Sequence, residues 1–177
     1  MYHGHTGPIY KVKCNPFWDE VDNPIFATCS YDWTVRIWST KQQNEKLVCM
    51  STESDTILKQ QVNDICWSPK TSSVFGSVAN DGRVEVWDLK LNNLAPVICH
   101  FDSDADGNKD ETPKTAVKFA KSLPVLFTGN TKGKVHVYRT AGLEHIQVTK
   151  AEQIKRLTSA LSKDDFTEAK EPKEEEE

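Results

Sequence analysis

The sequence predicts an all-β protein built from a repeated four-stranded unit, and three observations lead to this prediction. A nine-residue segment that ends at Trp38 recurs in weaker form in segments that end at Trp87 and Tyr138. These closing aromatic residues stand 49 and then 51 residues apart. Each copy is a polar turn followed by alternating apolar and polar residues, as in a half-buried strand. A period of this length is typical of stacked four-stranded blades.

The strands around each turn keep the same register. Short apolar segments precede the turns at 25–28, 74–77 and 125–128, and earlier strands begin near Ile9, Val62 and Val117. A fourth, outer strand is predicted after the first two closing aromatics, at 46–50 and 96–100. The predicted blade region is 1–148, with repeats at about 3–52, 57–101 and 112–148.

Three blades do not close a ring, because β-propellers contain about four to eight blades. An open stack leaves two blade faces and a strand edge uncovered, which invites aggregation. We therefore predict a partial β-propeller of about three four-stranded blades. The remaining blades are expected from a longer chain, of which this sequence is the C-terminal part, or from a partner polypeptide.

After the last blade the pattern changes from strand to helix. Thr149 and Glu152 fit a capping box, in which each side chain bonds the other residue's backbone N–H. Ile154, Leu157 and Leu161 follow at helical spacing. The sequence predicts an amphipathic helix over 149–163. Such a short helix is marginal alone in water, so we expect it to lie against the propeller rim, with a partner protein as the alternative.

The charge of the chain is concentrated at its end. Residues 164–177 hold eight acidic residues and two lysines, a net charge of −6, whereas the whole chain carries −4. We predict that this acidic tail is disordered. The nearly neutral remainder gives no basic face for nucleic acid. No apolar run approaches the length of about 20 residues that spans a bilayer, so no membrane partner is expected.

Catalytic and cofactor motifs are not indicated. The five cysteines form no Cys-x-x-Cys pair, so neither a zinc site nor a disulfide framework is predicted, and no phosphate-binding loop or nucleophile motif occurs. Asp102, Asp104 and Asp106 resemble the start of a calcium loop, but Pro113 stands where a bidentate Glu is needed. A solvated loop is the preferred interpretation, with a calcium-responsive regulator as the alternative. The chain is predicted to be no enzyme and to need no cofactor.

The repeats resemble the WD40 repeat, whose Gly-His pair appears here as Gly4-His5 in the first copy and whose Trp-Asp pair appears as Trp87-Asp88 in the second. In that family a His, a Ser or Thr, an Asp and a Trp form a buried hydrogen-bonded chain that joins the loop before a blade to the turn of the blade. The resemblance assigns these places to His5, Ser30, Asp32 and Trp38. We interpret this set as structural rather than as a catalytic triad, because it satisfies groups that are costly to bury unpaired.

The second and third repeats depart from this pattern. The second keeps Asp81 and Trp87 but has Ala79 in place of the Ser and Leu58 in place of the His, so the network is not expected to form there. The third has Lys132 in place of the Asp. Only the strand pattern is expected to survive in that copy.

Trp33 stands where the other repeats have Gly82 and Gly133. Because those glycines suit a turn with positive φ, we expect Trp33 to adopt a different turn. It places a large aromatic beside Tyr31, and such residues dominate protein interfaces. Packing against the adjacent blade and contact with a partner protein are the two interpretations. Tyr31, Trp33 and Arg36 are the candidate interaction residues.

A narrower resemblance joins three segments of the chain, found at 32–38, 62–69 and 83–89. Asp-Trp-Thr-Val, then Trp-Ser-Pro, then a Val-Phe pair recur in this order in dynein intermediate chains, and the third segment is similar to axonemal members. The resemblance implies a non-catalytic scaffold that binds the dynein heavy chain, which hydrolyses ATP, and other dynein subunits. It also implies a place in the cytoplasm and cytoskeleton, and more specifically in the axoneme of a cilium or flagellum.

A second function class fits the same repeats. A general WD40 adaptor, such as a substrate receptor in ubiquitin transfer or a chromatin scaffold, uses the same blades with other partners. The upstream sequence would separate the two, since light-chain binding segments support dynein and an F-box-like helical region contradicts it.

Overall fold

A computed structural model describes residues 1–17, 24–50, 60–104, 106–142 and 148–162. The first repeat forms a four-stranded antiparallel sheet in sequential order. Its strands are β1 (Ile9–Cys14), β2 (Ile25–Ser30), β3 (Val35–Ser39) and β4 (Glu45–Cys49). We call this sheet blade 1.

The second repeat has the same topology and forms blade 2. Its strands are β5 (Val62–Trp67), β6 (Val74–Ala79), β7 (Val84–Asp88) and β8 (Ile98–His100). Each of the first two blades begins with a bulge between its first two strands, at Ile9/Lys11 and at Val62/Asp64. The two blades therefore share the position of this bulge as well as the order of their strands.

The segment between blade 2 and the third repeat is structured, whereas the sequence predicted a solvated loop. It contains a short hairpin of β9 (Asp102–Ser103) and β10 (Lys109–Asp110). Blade 3 follows as a three-stranded sheet of β11 (Lys114–Phe119), β12 (Val125–Asn130) and β13 (Val135–Arg139). Residues 143–147, after β13, lie outside the described part of the chain. The predicted all-β partial propeller is confirmed.

Two apolar layers lie between the blades. Ile25, Ala27 and Ile37 of blade 1 belong to one buried cluster with Val62 and Ile65 of blade 2. A second cluster joins blade 2 to blade 3 and contains Val74, Val78, Val84, Val86, Val117 and Leu126. Blade 2 is thus covered on both faces, and every residue of β6 and β7 is buried. Burial of both faces explains why β6 reads as a continuous run of small and apolar residues.

The outer faces of the stack remain open. Phe127 and Val137 are cross-strand partners on blade 3, and with Val135 they are 40%, 62% and 71% exposed. On blade 1, Val12 is 58% exposed, although its cross-strand partner Thr28 is buried. Apolar faces of this kind normally pack against another layer.

Helix α1 (Lys150–Leu161) begins with the predicted capping box. The Thr149 hydroxyl accepts from the Glu152 amide, and the Glu152 carboxylate accepts from the Thr149 amide. Leu157 and Leu161 of the helix pack into the layer between blades 1 and 2. The helix thus lies against the blades, as the sequence predicted. The acidic tail 164–177 lies outside the described residues.

Polar contacts fix the position of α1 under blade 2. The Gln153 amide accepts from the Ser72 backbone N–H at 2.9 Å and donates to the Lys70 carbonyl at 3.0 Å. Arg156 reaches Asp88 at 3.0 Å. Because Gln153 is 2% exposed, it satisfies backbone groups that water does not reach. In the described ranges, no helix has the length and apolar character needed to cross a bilayer.

Replacing Leu157 with Ala tests how much α1 contributes to the fold. Leu157 is 0% exposed, so we expect the free energy of unfolding to fall by about 2–5 kcal/mol, because the methyl groups lose burial and leave a cavity. Urea unfolding of the chain measures this loss. Ser159→Ala, an exposed change on the same helix, is the control. Equal stability of the two variants would show that the helix adds little to the core.

Candidate functional site

A hydrogen-bonded chain joins the first residues of the protein to the hairpin of blade 1. His5 Nδ1 lies 2.8 Å from Asp32 Oδ2, and His5 Nε2 lies 2.7 Å from Thr28 Oγ1. The Trp38 indole N–H donates to the same Thr28 oxygen at 2.7 Å. When His5 Nδ1 carries the proton, His5 donates to Asp32 and the Thr28 hydroxyl donates to His5 Nε2. In that state each polar side-chain atom of this hydrogen-bonded network has a partner. Residues 1–7 are thereby fixed to β2 and β3.

The structure corrects the assignment of Ser30, because Thr28 occupies the hydroxyl position of this chain. Ser30 instead donates to the Gly7 carbonyl at 3.1 Å and accepts from the Asp32 amide at 3.2 Å. The register explains the difference, since Trp38 pairs with Phe26 and its indole lies near Thr28, two residues further along β2. Two hydroxyls spaced by two residues lie on the same face of a strand, so the pattern alone did not separate them.

Asp32 is the anion of this network. Burial would raise the pKa of Asp32, but hydrogen bonds from Thr34, His5 and the Thr6 amide outweigh burial and lower it to about 2. The same carboxylate accepts from the Thr34 amide and hydroxyl, which closes the turn between β2 and β3. Asp32 therefore orients His5 and holds the turn at the same time.

The geometry does not suit nucleophilic catalysis. An acid, a histidine and a hydroxyl stand in series, but the hydroxyl of Thr28 belongs to a residue that is 4% exposed and also accepts from Trp38. A substrate carbonyl has no path to this oxygen. The arrangement is suited to holding a loop in place.

Blade 2 uses an ion-pair network in the same place. Arg83 contacts Asp81 at 3.2 Å and Glu85 at 3.0 Å. Glu85 in turn accepts from the Ser77 hydroxyl at 3.0 Å and from the Trp87 indole at 3.4 Å. The network predicted to be absent here is thus replaced by a different one. The signal in the sequence was a pair of charged residues, Arg83 just before β7 and Glu85 within it, at the positions of Thr34 and Arg36 in blade 1. Leu58 lies outside the described residues.

Blade 3 reverses the charges. Asp102, from the hairpin before the blade, accepts from the Tyr138 hydroxyl at 2.8 Å, lies 3.0 Å from His136 Nδ1 and pairs with Lys114. Lys114 is 1% exposed. The expectation that only the strand pattern survives in this copy is therefore wrong, because the loop supplies the acid and the blade supplies the base. Lys132, at the position of Asp32, takes no part in these contacts.

The electrostatics of blade 3 follow from this burial. Burial would raise the pKa of Asp102, but hydrogen bonds from Lys114 and Tyr138 lower it. Burial, together with the Asp102 carboxylate, raises the pKa of Tyr138.

The fold directs the acidic residues of the candidate calcium loop to different partners. Asp102 is directed to blade 3, whereas Asp104 accepts from the backbone N–H groups of Asp106 and Asn108 at 2.9 and 2.8 Å. The three carboxylates therefore do not converge on one point. Over the described ranges, no group of three or more His, Cys, Asp or Glu side chains is placed to hold a metal ion.

Trp33 adopts the same turn as the glycines of the other repeats, and the expectation of a different turn is wrong. Its φ is 69°, compared with 84° at Gly82 and 76° at Gly133. A bulky residue is strained by about 1–2 kcal/mol in this left-handed region. The two hydrogen bonds from Thr34 to Asp32 hold the turn closed despite that strain.

The candidate interaction residues are not equally accessible. Tyr31 is 54% and Trp33 42% exposed on the turn of blade 1. Arg36 lies instead on β3, where its Nη1 pairs with Glu45 at 2.9 Å and its side chain is 13% exposed. The structure therefore removes Arg36 from the accessible set, because its guanidinium is used within the blade. Tyr31 and Trp33 form what we call the aromatic turn.

Thr28→Val tests the corrected network. The change keeps the shape of the side chain but leaves His5 Nε2 and the Trp38 indole N–H without their partner. We expect the free energy of unfolding in urea to fall by about 1–3 kcal/mol, the usual cost of unpaired buried groups. Ser30→Ala is the matched variant and should cost less. A larger loss for Ser30→Ala would restore the original assignment.

Stability should depend on the protonation of Asp32. Its pKa is 3.8 when unperturbed and about 2 in the folded protein. Because the folded value is lower, the stabilising contribution is present above the unperturbed pKa and is lost as the pH falls towards 2. Urea unfolding at a series of pH values from about 5 to about 2, the range over which Asp32 becomes protonated, measures how the free energy of unfolding depends on pH. Asp32→Asn should reduce the dependence of stability on pH in this range, whereas the exposed Glu111→Gln should leave it unchanged. The lowered pKa of Asp102 keeps part of the dependence in both variants.

Comparison with known proteins identifies both the repeat and the family. The model described as "WD domain, G-beta repeat" matches residues 1–39 and 49–88. The human protein "Dynein axonemal intermediate chain 4" is 36% identical over 148 residues, which cover 84% of this chain and 15% of the relative. Its mouse counterpart is 38% identical over 77% of this chain and 15% of the relative.

A ciliary protein of the sea urchin Heliocidaris crassispina is similar as well. "Dynein intermediate chain 2, ciliary" is 33% identical over 134 residues, which cover 76% of this chain and 17% of that protein. The chain thus spans between 15% and 17% of the length of these relatives. Repeats, fold and relatives agree, and the chain belongs to the WD40-repeat family, within the dynein intermediate chains.

Proposed function

We propose that the chain is part of a non-catalytic scaffold subunit of an axonemal dynein, and that its blades bind the motor heavy chain. The likeness to axonemal and ciliary dynein intermediate chains over most of the sequence supports this proposal. In this role the subunit assembles the complex in the cilium and supports movement along microtubules. ATP hydrolysis belongs to the heavy chain.

The aromatic turn is the proposed site of contact with the heavy chain. Other dynein subunits are proposed as further partners of the chain. Tyr31 and Trp33 present large aromatic surfaces at the end of blade 1, and such residues dominate the binding energy of interfaces. The hydrogen bonds of Asp32 hold this turn before any partner arrives. A pre-ordered turn loses little conformational entropy on binding.

The strain at Trp33 is the observation that carries the proposal. Blades 2 and 3 use glycine at the same position, where the left-handed backbone is unstrained. Blade 1 keeps a tryptophan there at a cost in stability, and 42% of its surface is exposed. Strained residues cluster at functional sites, because function rather than stability retains them.

The open faces of blades 1 and 3 belong to the same proposal. Val12 on one side and Phe127, Val135 and Val137 on the other need cover, because exposed apolar faces promote association. We propose that further blades of a longer intermediate chain cover them and close the ring. The chain spans only 15% of the length of the human relative, which supports a longer chain as the source of these blades.

Trp33→Gly separates binding from stability. Glycine removes the strain at a φ of 69°, so the stability of the blades should stay constant or rise by up to about 1 kcal/mol. Removal of the aromatic side chain should weaken heavy-chain binding by about 2 kcal/mol or more, the loss typical of a central interface residue. Copurification of the heavy chain with the complete intermediate chain measures this effect.

Leu94→Ala is the control for this experiment. Leu94 is an apolar residue with 77% exposure in the connection between β7 and β8. This connection follows the end of β7 that is opposite to the β6–β7 turn, the counterpart of the aromatic turn in blade 2. Heavy-chain recovery with Leu94→Ala should equal that of the unmodified protein. Unchanged recovery with Trp33→Gly would remove Trp33 from the proposed contact and with it the observation that carries the proposal.

A further inference from the structure

The first strands of the three blades enclose a cleft at their C-terminal ends. Strand β5 contacts both β1 and β11, so the three strands lie side by side. Where they end, a cleft of about 300 Å³ opens, and its lining includes Trp67, Phe119 and Pro16.

The rim of this cleft is positively charged. Lys13, Lys118 and Lys121 line it, and all three are exposed. The described lining contains no Asp or Glu side chain. None of the salt bridges among the described residues involves these three lysines. Three uncompensated cations around an apolar floor suit an acidic segment that also carries an aromatic residue.

We propose that the acidic C-terminal segment 164–177 of the chain binds in this cleft. The segment carries a net charge of −6, and it begins with Asp164, Asp165 and Phe166. The first two residues match the lysines of the rim, and the phenylalanine matches the apolar floor of Trp67 and Phe119. This inference concerns the chain's own tail and does not depend on the proposed binding of the heavy chain.

The position of α1 directs the tail towards the cleft. Leu161, at the end of the helix, packs in the same apolar cluster as Phe17 and Trp67, and Trp67 also lines the cleft. The fifteen residues after Ser162 can extend about 50 Å, so their length does not limit the contact. Because α1 is anchored by Gln153 and Arg156, the tail is tethered close to its binding site, which raises its effective concentration there.

Occupation by the tail has a functional consequence. A tethered acidic segment competes with any acidic segment of another protein for the same lysines. Because the contact is electrostatic at an exposed rim, it weakens as the salt concentration rises. Binding of the tail in the cleft is thus sensitive to salt.

Zero-length cross-linking of the 177-residue chain tests the proposal. A carbodiimide joins a carboxylate to an amine only where the two are in contact, and mass spectrometry identifies the linked peptides. We expect links from Asp164, Asp165 or Glu168 to Lys118 or Lys121, and we expect their loss at high salt. Links from the tail to lysines elsewhere, with none to the cleft, would overturn the proposal.

A second acidic segment must be distinguished in the same experiment. Asp19, Glu20 and Asp22 follow Phe17 in the sequence and lie outside the described residues. Links from the cleft lysines to these residues alone would also overturn the proposal, because this nearer acidic segment would then be the one in contact with the lysines.

The thiol of Cys14 gives an independent readout. Cys14 lines the cleft and is exposed. Burial raises the pKa of Cys66, the other thiol of the cleft, to about 12, so Cys14 reacts first. Neutralising the tail by Asp164→Asn, Asp165→Asn and Glu168→Gln should speed alkylation of Cys14 by an uncharged maleimide. An unchanged rate would contradict occupation of the cleft.

Matched lysine variants complete the design. Lys118→Gln with Lys121→Gln should speed the alkylation of Cys14 as the tail variant does, and should abolish the cross-links. Lys132→Gln with Lys134→Gln removes two exposed lysines from the turn of blade 3 and should leave the rate unchanged. If both pairs act alike, the tail responds to net charge only and the assigned site is wrong. Heavy-chain recovery is expected to be the same for all these variants, so this test is separate from that of the aromatic turn.

Discussion

The structure depends on one constraint, which is that each blade packs an aromatic residue whose polar group must find a partner. This aromatic residue is buried in blades 1 and 2 and half-buried in blade 3. Trp38, Trp87 and Tyr138 occupy equivalent places at the end of their hairpins. Their N–H or O–H groups are shielded by the neighbouring strands, and an unpaired group there would cost as much as several ordinary contacts contribute. Each blade therefore surrounds its aromatic residue with polar side chains.

The three blades meet this constraint with different residues. Blade 1 uses a neutral hydroxyl and a histidine, blade 2 a buried arginine with two carboxylates, and blade 3 an aspartate supplied from outside the sheet. The networks of blades 1 and 3 also join a preceding segment to the sheet, since His5 and Asp102 both come from before their blade. In each blade the closing aromatic residue thus has a hydrogen-bond partner, whereas the charges of the surrounding side chains differ from blade to blade.

The same network supports the proposed function. Asp32 closes the turn on which Tyr31 and Trp33 are exposed, and it keeps Trp33 at a φ of 69°. A loose turn would relax this residue, and the aromatic surface would lose its fixed position. The stability of blade 1 and the availability of a binding surface therefore rest on the same carboxylate.

The sequence by itself determined the repeat, the strand order within each blade and the capped helix, because periodicity and capping are local properties of the chain. It also indicated the roles of His5, Asp32 and Trp38. Tertiary structure decided which hydroxyl joins them, since the choice of Thr28 over Ser30 depends on the register of β2 with β3. It likewise decided the partner of Tyr138, because Asp102 reaches it from 36 residues away. Contacts of this kind depend on how sheets pack, and no local pattern in the sequence records them.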